Sequence, residues 1–297
     1  MATIPRLNGI VRALEQNLPA FTSFAAPDPT SALAFSKTKY DGIIFEMEHN
    51  HYDISNLRDS LQYLLNREQI LASGSLAPAV TPIVRIPPNG AERNQFIAKQ
   101  VLDVGVYGVV WPHISNAEQA YNAVASCRYS RPKGSSNYEP AGLRGDGPSK
   151  AMRYWGVSQR DYYARADVWP LDPKGEILVV IMMEDSEGVA NLDDILKSVD
   201  GIGVVLIGEG DLSQDLGHPR DYDHPIVRDA MSQIVGTCKK HGVVVGHPHV
   251  NKNNVERVLQ EGYRFLMAGP TTTYPALERG LELSGRQSAK SSGADAH

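Results

Sequence analysis

Ile177-Leu-Val-Val-Ile-Met-Met183 closes on Glu184, and further along Val204-Val-Leu-Ile-Gly-Glu-Gly-Asp211 carries an apolar run to a second carboxylate. Runs of four to eight apolar residues between turn signals read as strands of a parallel sheet covered on both faces. A carboxylate at the carboxyl end of such a strand stands where α/β folds keep their chemistry. Two of them from nearby strands suit a hard divalent cation such as Mg²⁺, which takes one or two protein carboxylates and completes its octahedron with water and substrate. Glu184 and Asp211 are therefore the candidate metal ligands.

Working outward, strand-like runs recur at 20–24, 42–45, 81–86, 105–111, 243–246 and 264–268. Helix-like periods fill the intervals, over 30–37, 54–66, 91–104, 115–125, 186–197, 224–241, 251–260 and 274–283, and Asp53, Ser115 and Asn251 are placed to cap three of them. Eight strand-then-helix units predict a (β/α)8 TIM barrel, an alternation that a doubly wound sheet would also produce. One domain over 1–283 and a small polar tail over 284–297 follow. The stretch 128–175 breaks the alternation with many Pro, Gly, Arg and aromatic residues. Its aromatic content argues against disorder and predicts an ordered lid, packed over the barrel mouth or on a neighbouring subunit.

Composition excludes several classes. A net charge of −5 over 297 residues argues against nucleic acid or an anionic membrane as partner. No apolar stretch approaches the roughly 20 residues of a membrane helix. The opening Met-Ala-Thr-Ile-Pro-Arg lacks the apolar core of a secretory signal. Cys127 and Cys238 stand in helix-like segments without ligand spacing and read as reduced packing residues of a cytoplasmic protein.

A second constellation, Phe45-Glu-Met-Glu-His-Asn-His-Tyr-Asp53, follows the second strand. Glu46 and Glu48 share a face and His49 turns out with the loop, so a carboxylate and a histidine meet as a general base requires. His51 reads as a solvated residue, and zinc lacks a third His or Cys at ligand spacing. Arg85, inside the apolar Pro82-Ile-Val-Arg-Ile-Pro87, needs an anion: a substrate oxyanion, or failing that a barrel carboxylate. His113, His247 and His249 stand near strand ends as further pocket candidates, and Gly208-Glu209-Gly210 offers backbone N–H groups to a substrate carboxylate. Neither a dinucleotide fingerprint nor a phosphate loop occurs.

Taken in order, several motifs resemble the HpcH/HpaI aldolase family of metal-dependent pyruvate aldolases over about residues 20–283. They are Glu46-Met-Glu-His49, Val84-Arg-Ile-Pro87, Val101-Leu-Asp-Val-Gly105, Pro132-Lys-Gly134, Gly142-Leu-Arg-Gly-Asp-Gly-Pro148, Met183-Glu184, Asn191-Leu-Asp-Asp-Ile195 and Ile207-Gly-Glu-Gly-Asp-Leu-Ser-Gln-Asp-Leu-Gly217. The resemblance implies a (β/α)8 barrel in a homo-oligomer, hexamer or trimer, with Mg²⁺, Mn²⁺ or Co²⁺ held by Glu184 and Asp211. It implies a lyase that cleaves a 4-hydroxy-2-oxo acid to pyruvate, or an analogue, and an aldehyde through a metal-stabilised enolate. Arg85 would steady the enolate, and Glu46 would orient His49 as base. Asp103 would enter a neighbour's site, and Gly208, Glu209, Gly210, Met182, His113, Arg144 and His247 would line the substrate. Glu46 stands where the family usually carries Asp, Met182 where it carries Gln, and Glu209-Gly210 where it carries Pro-Ala. These departures point to an altered substrate. A decarboxylase, an acyl-CoA lyase of the same barrel family and a non-catalytic 2-oxo-acid scaffold are the alternatives.

Overall fold

The computed structural model describes residues 4–87, 90–93, 95–270 and Leu283. In chain order its elements are α1 (Gly9–Glu15), β1 (Ala20–Ala25), α2 (Pro29–Phe35), β2 (Gly42–Glu46), α3 (Ile54–Leu64), α4 (Arg67–Ser73), β3 (Thr81–Arg85), α5 (Gln95–Val104), β4 (Gly108–Trp111) and α6 (Ala117–Ser126). They continue with α7 (Ser149–Trp155), α8 (Gln159–Tyr163), β5 (Val168–Trp169), β6 (Ile177–Met183), α9 (Ser186–Ser198), β7 (Val204–Ile207), α10 (Glu209–Asp215), α11 (Pro225–His241), β8 (Val244–His247), α12 (Val255–Glu261) and β9 (Phe265–Met267). The expected helix over 274–283 and the tail lie outside the described residues, apart from Leu283.

The strands run β1-β2-β3-β4-β6-β7-β8-β9, and β9 pairs back onto β1, all parallel. Closure decides for the barrel over the doubly wound sheet. Two apolar layers follow from the alternation of side chains along each strand. On β6, Leu178, Val180 and Met182 fill the barrel interior, while Ile177, Val179, Ile181 and Met183 pack under the helices. On β7, Val204 and Leu206 point inward, and Val205 and Ile207 outward. Helix α1 plugs the amino-terminal end with Ile10, Val11 and Leu14. Gly42 has no side chain because a Cβ there would run into Ile10.

Caps differ in detail from the sequence expectation. Asp53 does accept from the N–H groups of Ser55 and Asn56. Asn116, one residue after Ser115, caps α6, and α12 begins after Asn254 with no side-chain cap. Cys127 and Cys238 are free and buried, and burial pushes each thiol up to about 12, as packing residues require.

The 128–175 segment is ordered, but in its own chain it is no lid. It joins a helix, α6, to the next barrel strand, β6, and such connections lie at the amino-terminal face, opposite the mouth. Accordingly β5 pairs with Ile177 and Leu178 at the start of β6, and Trp155 stacks on Tyr107, just before β4, with ring centroids 4.6 Å apart. Arg128, fully buried, ties the segment together. Its Nε donates to Asp167 Oδ1 at 2.7 Å, and its remaining N–H groups reach Asp167 Oδ2 and the carbonyls of Asn137, Tyr138 and Pro140. No described helix is long and apolar enough to cross a membrane.

Candidate active site

Strand parity aims the chemistry. Ile44 and Ile83 face the barrel interior, so two residues on, at the mouth, Glu46 and Arg85 do too, and they are register partners across β2 and β3. Arg85 Nε donates to Glu46 Oε2 at 2.7 Å, Nη2 reaches the same oxygen, and Nη1 lies 3.0 Å from Glu48 Oε2. The guanidinium rests 4.5 Å above the Phe24 ring, and Nη1 is 3.8 Å from Met182 Sδ. Arg85 therefore has its barrel carboxylates in place, and whatever it offers a substrate it offers from this fixed position.

Glu46 orients the His49 loop through the backbone rather than through the ring. Its Oε1 accepts from the N–H of Glu48 at 2.8 Å and of His49 at 3.2 Å. The His49 ring, 69% exposed, has Nε2 3.6 Å from Glu48 Oε2 instead. Glu48 thus stands between Arg85 and His49. The alternation that puts residues 46 and 48 on one face was its only signal. Burial pushes the Glu48 carboxyl above the usual carboxylate range, while Arg85 and His49 pull it down. His51 is exposed.

Across the mouth, Glu184 continues the inward row of Leu178, Val180 and Met182 and is 3% exposed. Its Oε2 accepts from the backbone N–H of His113 at 2.8 Å, and His113 Nδ1 lies 3.8 Å away. The structure brings His113, Glu184 and Asp211 together with one ligand atom from each within 4.8 Å of the others. Ligand atoms about 2.1 Å from one ion lie within about 4.2 Å of one another, so this set fits a divalent cation after small side-chain adjustments. Burial raises the Glu184 carboxyl to about 7, with the His113 charge and N–H opposing the rise and Glu48 and Asp211 adding to it. A cation would relieve that cost. Gly208, next in line after Leu206, is a glycine because a Cβ would overlap Glu184 Oε1.

Glu209 is turned away from this group. Its buried carboxylate pairs with His249 Nδ1, and the His249 ring stacks on Tyr222 at 5.7 Å between centroids. The charge that would have repelled a substrate carboxylate is therefore directed at an imidazole. His247, expected in the substrate pocket, is 4% exposed and packs edge-on against Tyr263, its Nδ1 accepting from the His249 N–H at 3.2 Å. Its parity explains this, because Gly246 takes the inward position. Gly210 faces open space in the first turn of α10, and Met182 is buried against Arg85.

Asp103 and Arg144 lie elsewhere. Helix α5 runs from the mouth towards the amino-terminal face, and Asp103 sits in its last turn. There Arg144 Nη2 donates to Asp103 Oδ1 at 2.8 Å and to Tyr162 Oη at 2.8 Å. The Arg144 side chain is fully buried, over the Tyr129 ring at 4.4 Å. Arg144 is thus a packing cation of the 128–175 segment and touches no substrate position in its own chain. Neither residue shares a hydrogen bond or ion pair with the Glu184 group.

Comparisons with known proteins place the chain in a family and match its fold. The family model described as HpcH/HpaI aldolase/citrate lyase matches residues 23–274. The 2-keto-3-deoxy-L-rhamnonate aldolase of Klebsiella pneumoniae subsp. pneumoniae is 30% identical over 253 residues, 84% of this chain and 83% of that protein. The 5-keto-4-deoxy-D-glucarate aldolase of Salmonella paratyphi A is 27% identical over 264 residues, 89% of this chain and 90% of its own. Among solved structures, an HpcH/HpaI aldolase/citrate lyase family protein of Burkholderia cenocepacia matches with a TM-score of 0.72 at 23% identity, covering 94% of this chain and 98% of that one. Macrophomate synthase matches with a TM-score of 0.63 at 20% identity, covering 96% and 92%. These structures share the barrel.

Proposed function

The chain belongs to the HpcH/HpaI aldolase/citrate lyase family, and from that premise we propose that it is a divalent-metal-dependent aldolase acting on a 4-hydroxy-2-oxo acid. The products are pyruvate, or an analogue, and an aldehyde. The observation that carries the reading is the grouping of His113, Glu184 and Asp211 at the barrel mouth, where Arg85 is also fixed, by Glu46 and Glu48.

Glu184 and Asp211 would hold the cation, which when bound supplies Lewis-acid stabilisation of negative charge on a substrate oxygen. Mg²⁺, Mn²⁺ and Co²⁺ all suit carboxylate donors. The chain's own residues account for the rest. His49, exposed and facing Glu48, accepts the proton of the 4-hydroxyl. The C3–C4 bond breaks, its electron pair passes into the enolate, and the hydroxyl carbon leaves as the aldehyde carbonyl. Arg85, held from behind by Glu46 and Glu48, keeps a fixed positive charge where the oxyanion develops, so little reorganisation is needed. His49 returns that proton, directly or through water, to C3 of the enolate, which completes pyruvate and restores the base.

A homo-oligomer belongs to the same reading. Asp103 lies towards the far end of the barrel from its own site, and only a second copy would bring it to a mouth; sedimentation analysis checks this. The deciding experiment is exchange of pyruvate methyl protons in D₂O with and without Mg²⁺ or Mn²⁺. Metal-dependent exchange that disappears in Glu184→Gln and Asp211→Asn is expected, and metal-independent or absent exchange in the native protein would sink the reading.

A further inference from the structure

His113 occupies an unusual position beside the two carboxylates. It follows β4 after Trp111-Pro112, and its backbone is left-handed, with φ 49°. Left-handed backbone is costly for a residue with a side chain and persists where the surroundings impose it. Here it allows one residue to meet Glu184 twice. The His113 N–H holds Glu184 Oε2 at 2.8 Å, and the ring returns to the same oxygen, with Nδ1 at 3.8 Å. The ring is 37% exposed and so remains open to the mouth, while the carboxylate it faces is 2% exposed.

We propose that His113 Nδ1 is a third protein ligand of the cation, and that this nitrogen tilts the site from Mg²⁺ towards Mn²⁺ and Co²⁺. The inference rests on the aldolase reading only in taking Glu184 and Asp211 as ligands. Nδ1 is a member of the same compact group of ligand atoms as the two carboxylates. Two carboxylates alone form a hard oxygen site of the kind Mg²⁺ accepts with its waters retained. An imidazole adds a borderline donor, which binds Co²⁺ and Mn²⁺ better than Mg²⁺, with Co²⁺ the stronger of the two. The backbone N–H bond from the same residue fixes the carboxylate that must share the ion, as outer-shell donors commonly do. No other described His or Cys joins the group.

The test uses the full-length protein and metal ions alone. Pulsed electron paramagnetic resonance of the Mn²⁺-loaded protein should show coupling to a directly bound ¹⁴N, lost in His113→Ala and His113→Gln. Titration calorimetry should show the preference for Co²⁺ over Mg²⁺ falling tenfold or more in either variant, with far-ultraviolet circular dichroism confirming the fold. Mn²⁺ bound without nitrogen coupling, or a metal preference unchanged by both substitutions, overturns the inference while leaving the aldolase reading intact. Loss of metal binding in Glu184→Gln is required by both. A native protein that binds no divalent ion would remove the aldolase reading itself.

Discussion

Glu46 and Arg85 are register partners on adjacent strands, and Glu46 Oε2 accepts from Arg85 Nε at 2.7 Å at the barrel mouth. The pair explains how an arginine sits in an apolar strand. With both side chains 11% exposed, each charge is tolerated because the other faces it, and Glu48 shares the load. Replacing Glu46 by Gln leaves one carboxylate for the guanidinium and loosens the loop whose N–H groups it holds. We expect kcat/KM for aldol cleavage to fall by about tenfold to a hundredfold, as for other outer-shell partners, with metal affinity nearly unchanged. Steady-state kinetics beside calorimetry separates the two.

Gly208→Ala tests the packing around the metal group. The backbone there, with φ −95°, accepts an L residue, so the substitution acts only through the Cβ that collides with Glu184 Oε1. Glu184 must rotate off its His113 hydrogen bond. Loss of divalent-metal binding in a folded protein is the expected result, and native affinity would show that Glu184 moves freely.

The pH dependence of metal binding has a defined sign. Burial is the leading reason that Glu184 stands at about 7 without a cation, above its ordinary value. Its protonated form therefore favours the folded state at low pH, and that contribution is lost as pH rises through about 7. A cation needs the ionised carboxylate, so affinity should rise about tenfold per pH unit below 7 and level off above it. Metal-free protein should melt at progressively lower temperature as pH rises from about 4.5 to about 7, and Mn²⁺ should restore it most at the alkaline end. Calorimetry in two buffers of different ionisation enthalpy checks the released proton.

Arg128 and Asp167 make a stability prediction independent of the site. Burial alone would raise the Asp167 carboxyl, but hydrogen bonds from Arg128 and Arg131 outweigh it and leave it below its ordinary value. Asp167→Ala strands a buried guanidinium and should cost about 3–5 kcal/mol in denaturant unfolding. In the native protein this pair's contribution is present at neutral pH and lost as acid titrates the carboxylate.

Much of the fold was legible because barrel strands buried on both faces are short, apolar and bounded by turns. The eight barrel strands fall where the sequence puts them, shifted by no more than a few residues at their ends. Helix α1 has no counterpart among the helices expected from sequence, although Asn8 caps it by accepting from the Val11 N–H. Length and aromatics of the 128–175 segment suggest an ordered lid, over the mouth or on a neighbouring subunit. Its place between a helix and the next strand assigns it to the face of its own barrel opposite the mouth.

The sequence by itself determined the parallel strand-and-helix alternation and the acidic and basic residues at the strands' carboxyl ends, because alternation along a strand fixes which side chains look inward; closure into a barrel belongs to the tertiary structure. Glu46, Arg85 and Glu184 follow from that rule, whereas Asp211 comes from the first turn of α10. Only the tertiary structure decided the pairings: Glu46 on Arg85, Glu48 facing His49, Glu209 on His249, Arg144 on Asp103, and His113 beside Glu184. A charged side chain can reach several partners on neighbouring strands. Which one it takes depends on the register, burial and backbone angle of residues far apart in the chain, and no local pattern encodes that choice.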